Sequence, residues 1–213
     1  MTSITHLRRE YTWGGLRRKD LNPDPILQFQ HWFKQALEAQ EIEPHAMTLA
    51  TAAKDGQPSA RTVLLREADQ RGFVFYTNYE SRKGKELEEN PKAALAFYWP
   101  VLERQVCITG HVTKISRGES EAYFRSRPLG SQIAAWVSRQ SQVVENREVL
   151  DDAVKEKTNQ FQNKDIPIPH HWGGFLLIPQ TIEFWQGRPS RLHDRFCYTK
   201  QADGKWKIDR LYP

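Results

Sequence analysis

The sequence predicts a single α+β domain built on an antiparallel β-barrel with flanking helices. Two observations carry this. Short runs of β-branched and aromatic residues recur at close, regular spacing between turn signals, the pattern of an antiparallel barrel or sandwich. Stretches of helical period stand apart from them, one before the strands begin, a short one among them, and three together in the middle of the chain.

The first 24 residues are rich in Arg, Lys, Gly and Pro and read as a mobile basic arm, with residues 25–213 as the one folded domain. Asp24 before Pro25 is an N-cap followed by a first-turn proline. Ile26, Phe29, Phe33 and Leu37 then recur at helical spacing to about Gln40. From Met47 the period changes to two. Strands are expected at 47–53, 59–66, 72–78, 92–99 and 104–115, the first pair joined through Asp55-Gly56. Ser81 caps a short helix that Asn90-Pro91 stops. Helices near 118–125, 131–137 and 145–160 follow. Strands return at 174–178, 181–185, 194–199 and 206–211, with a turn at Asp203-Gly204.

With 213 residues, 38% of them hydrophobic, the chain can bury a sizeable core. No run approaches the length needed to span a bilayer, and the basic start lacks an apolar signal region, so a cytoplasmic protein with no membrane partner is expected. Two cysteines, Cys107 and Cys197, are too few for a disulfide framework or a cysteine zinc site, and no metal is expected. The net charge of +5 calls for anionic partners, either nucleic acid or phosphorylated small molecules. There is no phosphate-binding Gly-x-x-x-x-Gly-Lys-Ser/Thr loop, no Gly-x-Gly-x-x-Gly and no His-Glu-x-x-His, so an enzyme of this sequence relies on a bound cofactor for its chemistry.

Five segments concentrate polar and cationic side chains. Arg61-Thr62-Val63-Leu64-Leu65-Arg66 sends its two arginines to opposite faces of a strand, although two surface arginines flanking a core strand would read the same. Tyr76-Thr77-Asn-Tyr-Glu-Ser-Arg82-Lys83 places two cations in the first turn of a helix, where they oppose the macrodipole and a bound phosphate would compensate; a solvated charge run is the alternative. Gln105, beside buried apolar positions, needs hydrogen-bond partners such as the rim of a flavin. Tyr123, Arg127 and Ser131 recur every four residues around a Pro-broken helix, either converging on one phosphate or by chance on an exposed helix; Gln140-Ser141 follow. The run Glu183-Phe-Trp185-Gln-Gly-Arg-Pro-Ser-Arg191-Leu192-His193-Asp-Arg195 is the most unusual. If Arg191, His193 and Arg195 lie on a strand they share one face, which an anion or an electron-rich ring would justify.

In order and number these segments resemble the pyridoxamine 5′-phosphate oxidase family, from Leu7-Arg8-Arg9-Glu10-Tyr11 to Ile208-Asp-Arg-Leu. The resemblance implies the FMN-binding split barrel, an antiparallel split β-barrel with flanking helices, acting as a homodimer with FMN at the subunit interface. It implies FMN contacts from Arg61, Thr62, Val63, Leu64, Leu65, Arg66, Tyr76, Thr77, Arg82, Lys83, Gln105, Gln140, Ser141, Trp185 and Arg195. Substrate contacts are implied for Arg66, Tyr123, Arg127 and Ser131 at the phosphate, and for Arg191, Leu192 and His193 near the pyridine ring, with Arg191 and His193 catalytic. The arm residues Arg8, Arg9, Glu10 and Tyr11 would close over the substrate. The implied reaction oxidises pyridoxamine or pyridoxine 5′-phosphate to pyridoxal 5′-phosphate, with O2 as acceptor. The family usually has lysine where this chain has Arg66, and a planar fork holds a phosphate differently from a point charge. Rival readings are another split-barrel flavoprotein, a pyridoxal-phosphate carrier and a nucleic-acid-binding barrel. The last needs exposed stacking aromatics, whereas Phe73-Val-Phe-Tyr and Ala96-Phe-Tyr-Trp sit in core-like patterns.

Overall fold

The computed structural model describes residue 6, residues 10–12 and residues 14–213. Asp24 caps the first helix, α1 (Pro25–Glu38), by accepting from the amides of Ile26 and Leu27. The strands are β1 (Ala46–Ala52), β2 (Pro58–Leu64), β3 (Glu67–Asp69), β4 (Gly72–Asn78), β5 (Lys92–Trp99), β6 (Arg104–Lys114), β7 (Trp172–Gln186), β8 (Asp194–Lys200) and β9 (Trp206–Leu211). Helix α2 (Arg82–Glu89), capped by Ser81, lies between β4 and β5. Helices α3 (Arg117–Ser126), α4 (Leu129–Val137) and α5 (Arg147–Gln160) fill the interval between β6 and β7.

All nine strands form one antiparallel sheet in the order β2-β1-β5-β6-β7-β4-β3, with β8 and β9 continuing from β7. The sheet curls on itself. Four strands separate β2 from β4 in that order, yet the segment between β2 and β3 bonds to both sides: the Leu65 amide donates to His45 O and the Arg66 amide to Val74 O. Residues 65 and 66 are therefore the seam of the barrel.

Two expectations are corrected, the first by β7. The runs at 174–178 and 181–185 are one strand of fifteen residues. Along one edge it pairs with β6 throughout, with a register shift between Thr109 and Gly110 that leaves Gln180 unpaired. Along the other it pairs with β4 up to Leu177 and with β8 from Thr181. Pro179 falls in the gap between those two partners, where its missing N–H costs no ladder bond. The short β3 is the second correction, a strand that three residues of mixed polarity did not announce.

Helix α1 plugs the barrel. Its buried face is Ile26, Phe29, Trp32 and Ala36, while Leu37, expected inside, is exposed and Phe33 is only half-buried. The Phe29 ring meets Phe73 of β4 edge-on at 4.9 Å and Phe97 of β5 at 5.1 Å, and Trp32 meets Phe184 of β7 at 5.1 Å. Within the stretch read as an arm, Leu16 and Leu21 belong to this same core. A smaller cluster of Phe124, Ile133, Ala135, Ile166 and Trp172 holds α3 and α4 against the β4–β7 edge. Cys107 and Cys197 are free and half-buried, and burial raises both thiol pKa values.

The position of Phe29 makes a stability prediction. Phe29→Ala opens a void between α1 and two strands and is expected to cost about 3–5 kcal/mol. Denaturant unfolding checks this; a loss under about 1 kcal/mol would mean that α1 is not a structural plug.

Candidate functional site

The seam that closes the barrel also builds a cavity of about 300 Å³, because it brings the end of β2 beside the end of β4. The lining comes from Thr62, Val63, Leu64 and Arg66 on one side and Tyr76, Thr77, Asn78 and Lys83 on the other, with Tyr123, Arg127, Ala135, Ser138, Gln140 and Trp172 across the mouth. Three of these side chains are cationic and none is acidic.

Two of those cations are held out of water. Lys83 is only 8% exposed, and its ammonium contacts the Thr77 hydroxyl at 3.3 Å and the Gln140 carbonyl at 2.6 Å, both neutral. Burial, reinforced by the nearby Arg61 charge, lowers its pKa to about 8. Arg127 lies over the Trp172 ring at 4.6 Å, and its Nη1 is buried without a hydrogen-bond partner among the described residues. Burial lowers its pKa, and Arg66 adds to the effect. A buried ammonium without an ion-pair partner and a half-buried guanidinium with one unsatisfied nitrogen are costly among neutral neighbours, a cost that an anion in the cavity would offset. Tyr76, Tyr123 and Trp172 form a near-parallel aromatic cluster at the same cavity, with Tyr76 4.0 Å from Tyr123 and 5.4 Å from Trp172, and Tyr123 and Trp172 6.2 Å apart. Burial pushes the Tyr76 hydroxyl up to about 12, so it remains a neutral donor.

Helix α3 ends at Ser126 and Arg127 is its C-cap, so Tyr123, Arg127 and Ser131 do not share one helical face as their spacing suggested. Tyr123 and Arg127 converge nevertheless. Ser131 is half-buried in the first turn of α4 and does not line the cavity.

Arg61 and Arg66 do part at the seam. Arg66 stays with the cavity, 5.8 Å from the Tyr123 ring. Arg61 turns to Leu49 O, the hydroxyls of Thr51 and Ser59, and Glu86. Glu86 gave no signal in the sequence beyond its place in a charged helix. It is a buried carboxylate that also accepts from Thr51 at 2.5 Å, Ser59 at 2.6 Å and Arg82 Nε at 2.8 Å. These donors overcome the cost of burial and hold its pKa down to about 2. Arg82 thus has an ion-pair partner one turn along its own helix. Its backbone amide donates to the Ser141 hydroxyl oxygen at 3.2 Å. Arg61, Arg82 and Lys83 against Glu86 leave a local charge of about +2, which matches a phosphate monoester dianion.

A second cluster lies on the outer face of the sheet. Gln105 of β6, Trp185 of β7 and Arg195 of β8 are direct neighbours in register. Arg195 forms a bidentate pair with Glu183 at 2.8 and 3.0 Å. Arg191, His193 and Arg195 do not share a strand: a 3-10 turn spans Pro189–Arg191 and β8 begins at Asp194. Ser190 and Arg191 both adopt left-handed backbone, φ 57° and 61°, a strain of the kind that functional turns retain. Leu192 is exposed. His193 Nδ1 accepts from the Arg188 amide, so a neutral ring carries its proton on Nε2. Burial, with the Arg191 charge behind it, lowers the His193 pKa.

The arm supplies the rest of this cluster. Tyr11 meets Trp185 edge-on at 5.6 Å and His193 at 5.5 Å, while Trp185 and His193 lie 4.6 Å apart. Gly187 permits that approach, since a Cβ there would come within 2.8 Å of the Tyr11 ring. The Glu10 carboxylate accepts from the Ser190 amide at 3.3 Å. Arg8 and Arg9 lie outside the described residues.

The two clusters are far apart. Tyr76 pairs with Gly174 near one end of β7, and Gln105 and Arg195 pair with Trp185 near the other. Eleven residues at about 3.3 Å each put roughly 35 Å of strand between them.

Residues 33–161 match the family model described as pyridoxamine 5′-phosphate oxidase, and residues 172–213 match that of the pyridoxine 5′-phosphate oxidase C-terminal dimerisation region. A protein of Gloeothece citriformis named pyridoxine/pyridoxamine 5′-phosphate oxidase is 56% identical over 211 residues, 99% of each chain. One of the same name from Burkholderia mallei is 56% identical over 215 residues, covering both chains fully. Among solved structures, PhzG from Burkholderia lata in complex with tetrahydrophenazine-1-carboxylic acid superposes with a TM-score of 0.87 at 31% identity, over 92% of this chain and 95% of that one. A pyridoxamine 5′-phosphate oxidase-related, FMN-binding protein of Nostoc punctiforme shares the fold, with a TM-score of 0.70 at 17% identity over 91% and 98% of the two chains.

Glu86 carries a prediction about pH. Its carboxyl pKa is lower folded than unfolded, so its contribution is full above the usual carboxylate range and is lost as pH falls from about 4 to about 2. Glu86→Gln is expected to cost about 1–3 kcal/mol at pH 7 and nothing below about pH 2. Denaturant unfolding of both proteins across that range measures the gap; a gap independent of pH would contradict the assignment.

Proposed function

The chain belongs to the pyridoxamine 5′-phosphate oxidase family, and from that premise we propose that it oxidises pyridoxamine or pyridoxine 5′-phosphate to pyridoxal 5′-phosphate, with FMN as cofactor and O2 as final acceptor. The observation that carries this reading is the cavity at the seam, lined by three cations and no acid, with the Arg127 Nη1 unpaired. In the amine reaction, pyridoxamine phosphate, O2 and water give pyridoxal phosphate, ammonia and hydrogen peroxide. In the alcohol reaction, pyridoxine phosphate and O2 give pyridoxal phosphate and hydrogen peroxide.

The residues fit the cofactor. Arg61, Arg82, Lys83 and Ser141 would hold the FMN phosphate on their net positive charge, with Thr62, Val63, Leu64, Leu65, Tyr76, Thr77 and Gln140 along its length. Bound FMN supplies the hydride acceptor and the route to O2. The substrate phosphate would fall to Arg127, Tyr123 and Arg66, with Ser131 reaching it by a change of rotamer. Gln105, Trp185 and Arg195 would contact the flavin, and Arg191 and His193 the substrate ring. Arg191 would orient the ring and polarise the reacting carbon. His193, neutral and donating through Nε2, would bond an acceptor on the ring. The arm with Glu10 and Tyr11 would cover it from water.

One chain places these two sets of residues at opposite ends of β7, so a complete site requires a second copy that brings its Trp185 end to the first copy's seam. The match of residues 172–213 to a dimerisation region supports this arrangement.

Purified protein is expected to be yellow and to release one peroxide per aldehyde formed from either substrate. A protein that takes up no FMN would overturn the proposal. Arg127→Ala is expected to raise KM about 30-fold or more with flavin content unchanged, equivalent to roughly 2 kcal/mol or more of lost phosphate contact. Arg191→Ala is expected to lower kcat about 10²-fold while FMN affinity, read by flavin fluorescence, changes little. Unchanged turnover in the flavin-loaded Arg191 variant would remove it from the reaction.

A further inference from the structure

A group of side chains given no role in the proposed reaction lies next to the cavity residues Asn78 and Trp172 in the chain, with Glu80 also lining a shallow pocket shared with Arg82, Gln140 and Ser141. Glu80, in the connection from β4 to α2, and the consecutive His170 and His171, just before β7, offer one carboxylate oxygen and two imidazole nitrogens within 4.8 Å of one another. The Glu80 oxygen and His170 Nε2 are 3.4 Å apart. That is close to the ligand–ligand spacing of a tetrahedral site with bonds of about 2.0–2.1 Å.

The backbone and the third ligand are already fixed. The Tyr79 amide donates to His171 O at 2.6 Å, which clamps the two segments together. His171 Nε2 lies 3.0 Å from Ala135 O. A carbonyl only accepts, so Nε2 must carry the proton and the lone pair of the neutral ring is on Nδ1. This is how a backbone carbonyl behind a metal-bound histidine orients it and makes it a better donor. His170 and Glu80 are exposed, so both can close the remaining distance by rotation, and water can complete the coordination.

We propose that Glu80, His170 and His171 form a surface site for a divalent transition-metal ion, with Zn²⁺ the best match. Two imidazoles and one carboxylate suit a borderline ion, whereas calcium or magnesium would require more oxygen donors. A bound ion would staple the β4–α2 connection to the start of β7. Those segments carry Asn78, Lys83 and Trp172 of the cavity, and the hydrogen bond to Ala135 extends the link to α4. The ion would therefore rigidify the cavity wall without touching what the cavity holds.

The test uses flavin-loaded protein stripped with a chelator and titrated with zinc sulfate against a chromophoric zinc indicator. Wild type is expected to bind one ion per chain with micromolar affinity and to gain several degrees in Tm at saturating zinc. His170→Asn and Glu80→Gln are each expected to weaken binding at least 10-fold and together to abolish the Tm gain. Both side chains are exposed and outside the core, so flavin content serves as the check on folding. Binding in the double variant as tight as in wild type would place the ion elsewhere, for example at Cys107 or Cys197. No binding by wild type would likewise overturn the site. Neither result bears on peroxide release, so failure here is distinct from failure of the proposed reaction.

Discussion

The closure of the sheet at Leu65 and Arg66 is the constraint on which the rest depends. Two consecutive amides bond to opposite sides of the seam, one to His45 O and the next to Val74 O. Without that pair of bonds β2 and β4 remain separated by four strands, and the residues of the cavity never meet. The chain that makes the seam also delivers Arg66 to the cavity and leaves Arg61 on the far side, beside Glu86. Barrel closure and the gathering of cations are thus one local event, and backbone bonds position the cations.

Placing so many cations together requires a counterweight, and the protein keeps it outside the cavity. Glu86 collects Arg61 and Arg82 from behind, on a carboxylate that four neighbours hold ionised. Arg127 and Lys83 receive no such partner among the described residues; their contacts are an indole face and neutral oxygens. The distinction is physical. A paired arginine is fixed in place and contributes field, whereas an unpaired buried cation gains most when an anion arrives. Arg66 differs from both: its side chain is exposed, at 5.8 Å from the Tyr123 ring.

Much of this was legible in the sequence because it rests on local chemistry. The Asp24-Pro25 and Ser81 caps and the strands at 72–78, 92–99 and 206–211 follow from turn residues and period-two runs. What was not legible depends on pairing between distant segments. The unity of β7 is hidden by Pro179, which is tolerated only because β4 ends and β8 begins on either side of it. The inward face of α1 is set by Phe73, Phe97 and Phe184, none of them near it in sequence, so Trp32 rather than Leu37 is buried. Arg191, His193 and Arg195 looked like one strand face because alternation is read without knowing where the strand starts. Glu86 could not be singled out, since its meaning comes from Thr51, Ser59 and Arg61 across two other strands. The stretch before residue 25 is the opposite case: its charge suggests an arm, while Leu16 and Leu21 anchor part of it in the core.

The two halves of the proposed site meet a further condition imposed by β7. A strand paired along both edges is among the stiffest elements a small protein has, and it fixes the separation of Tyr76 from Trp185 at a length no single flavin can bridge. Two copies related by a twofold axis would solve this together, because each would contribute its seam to one site and its Trp185 end to the other. The arm follows the same logic. It docks Tyr11 on its own chain's Trp185 and His193, so in such a pair each arm would cover the site whose flavin phosphate the other copy would hold. Binding and chemistry would then be divided between subunits, which makes association a precondition of activity rather than a consequence of it.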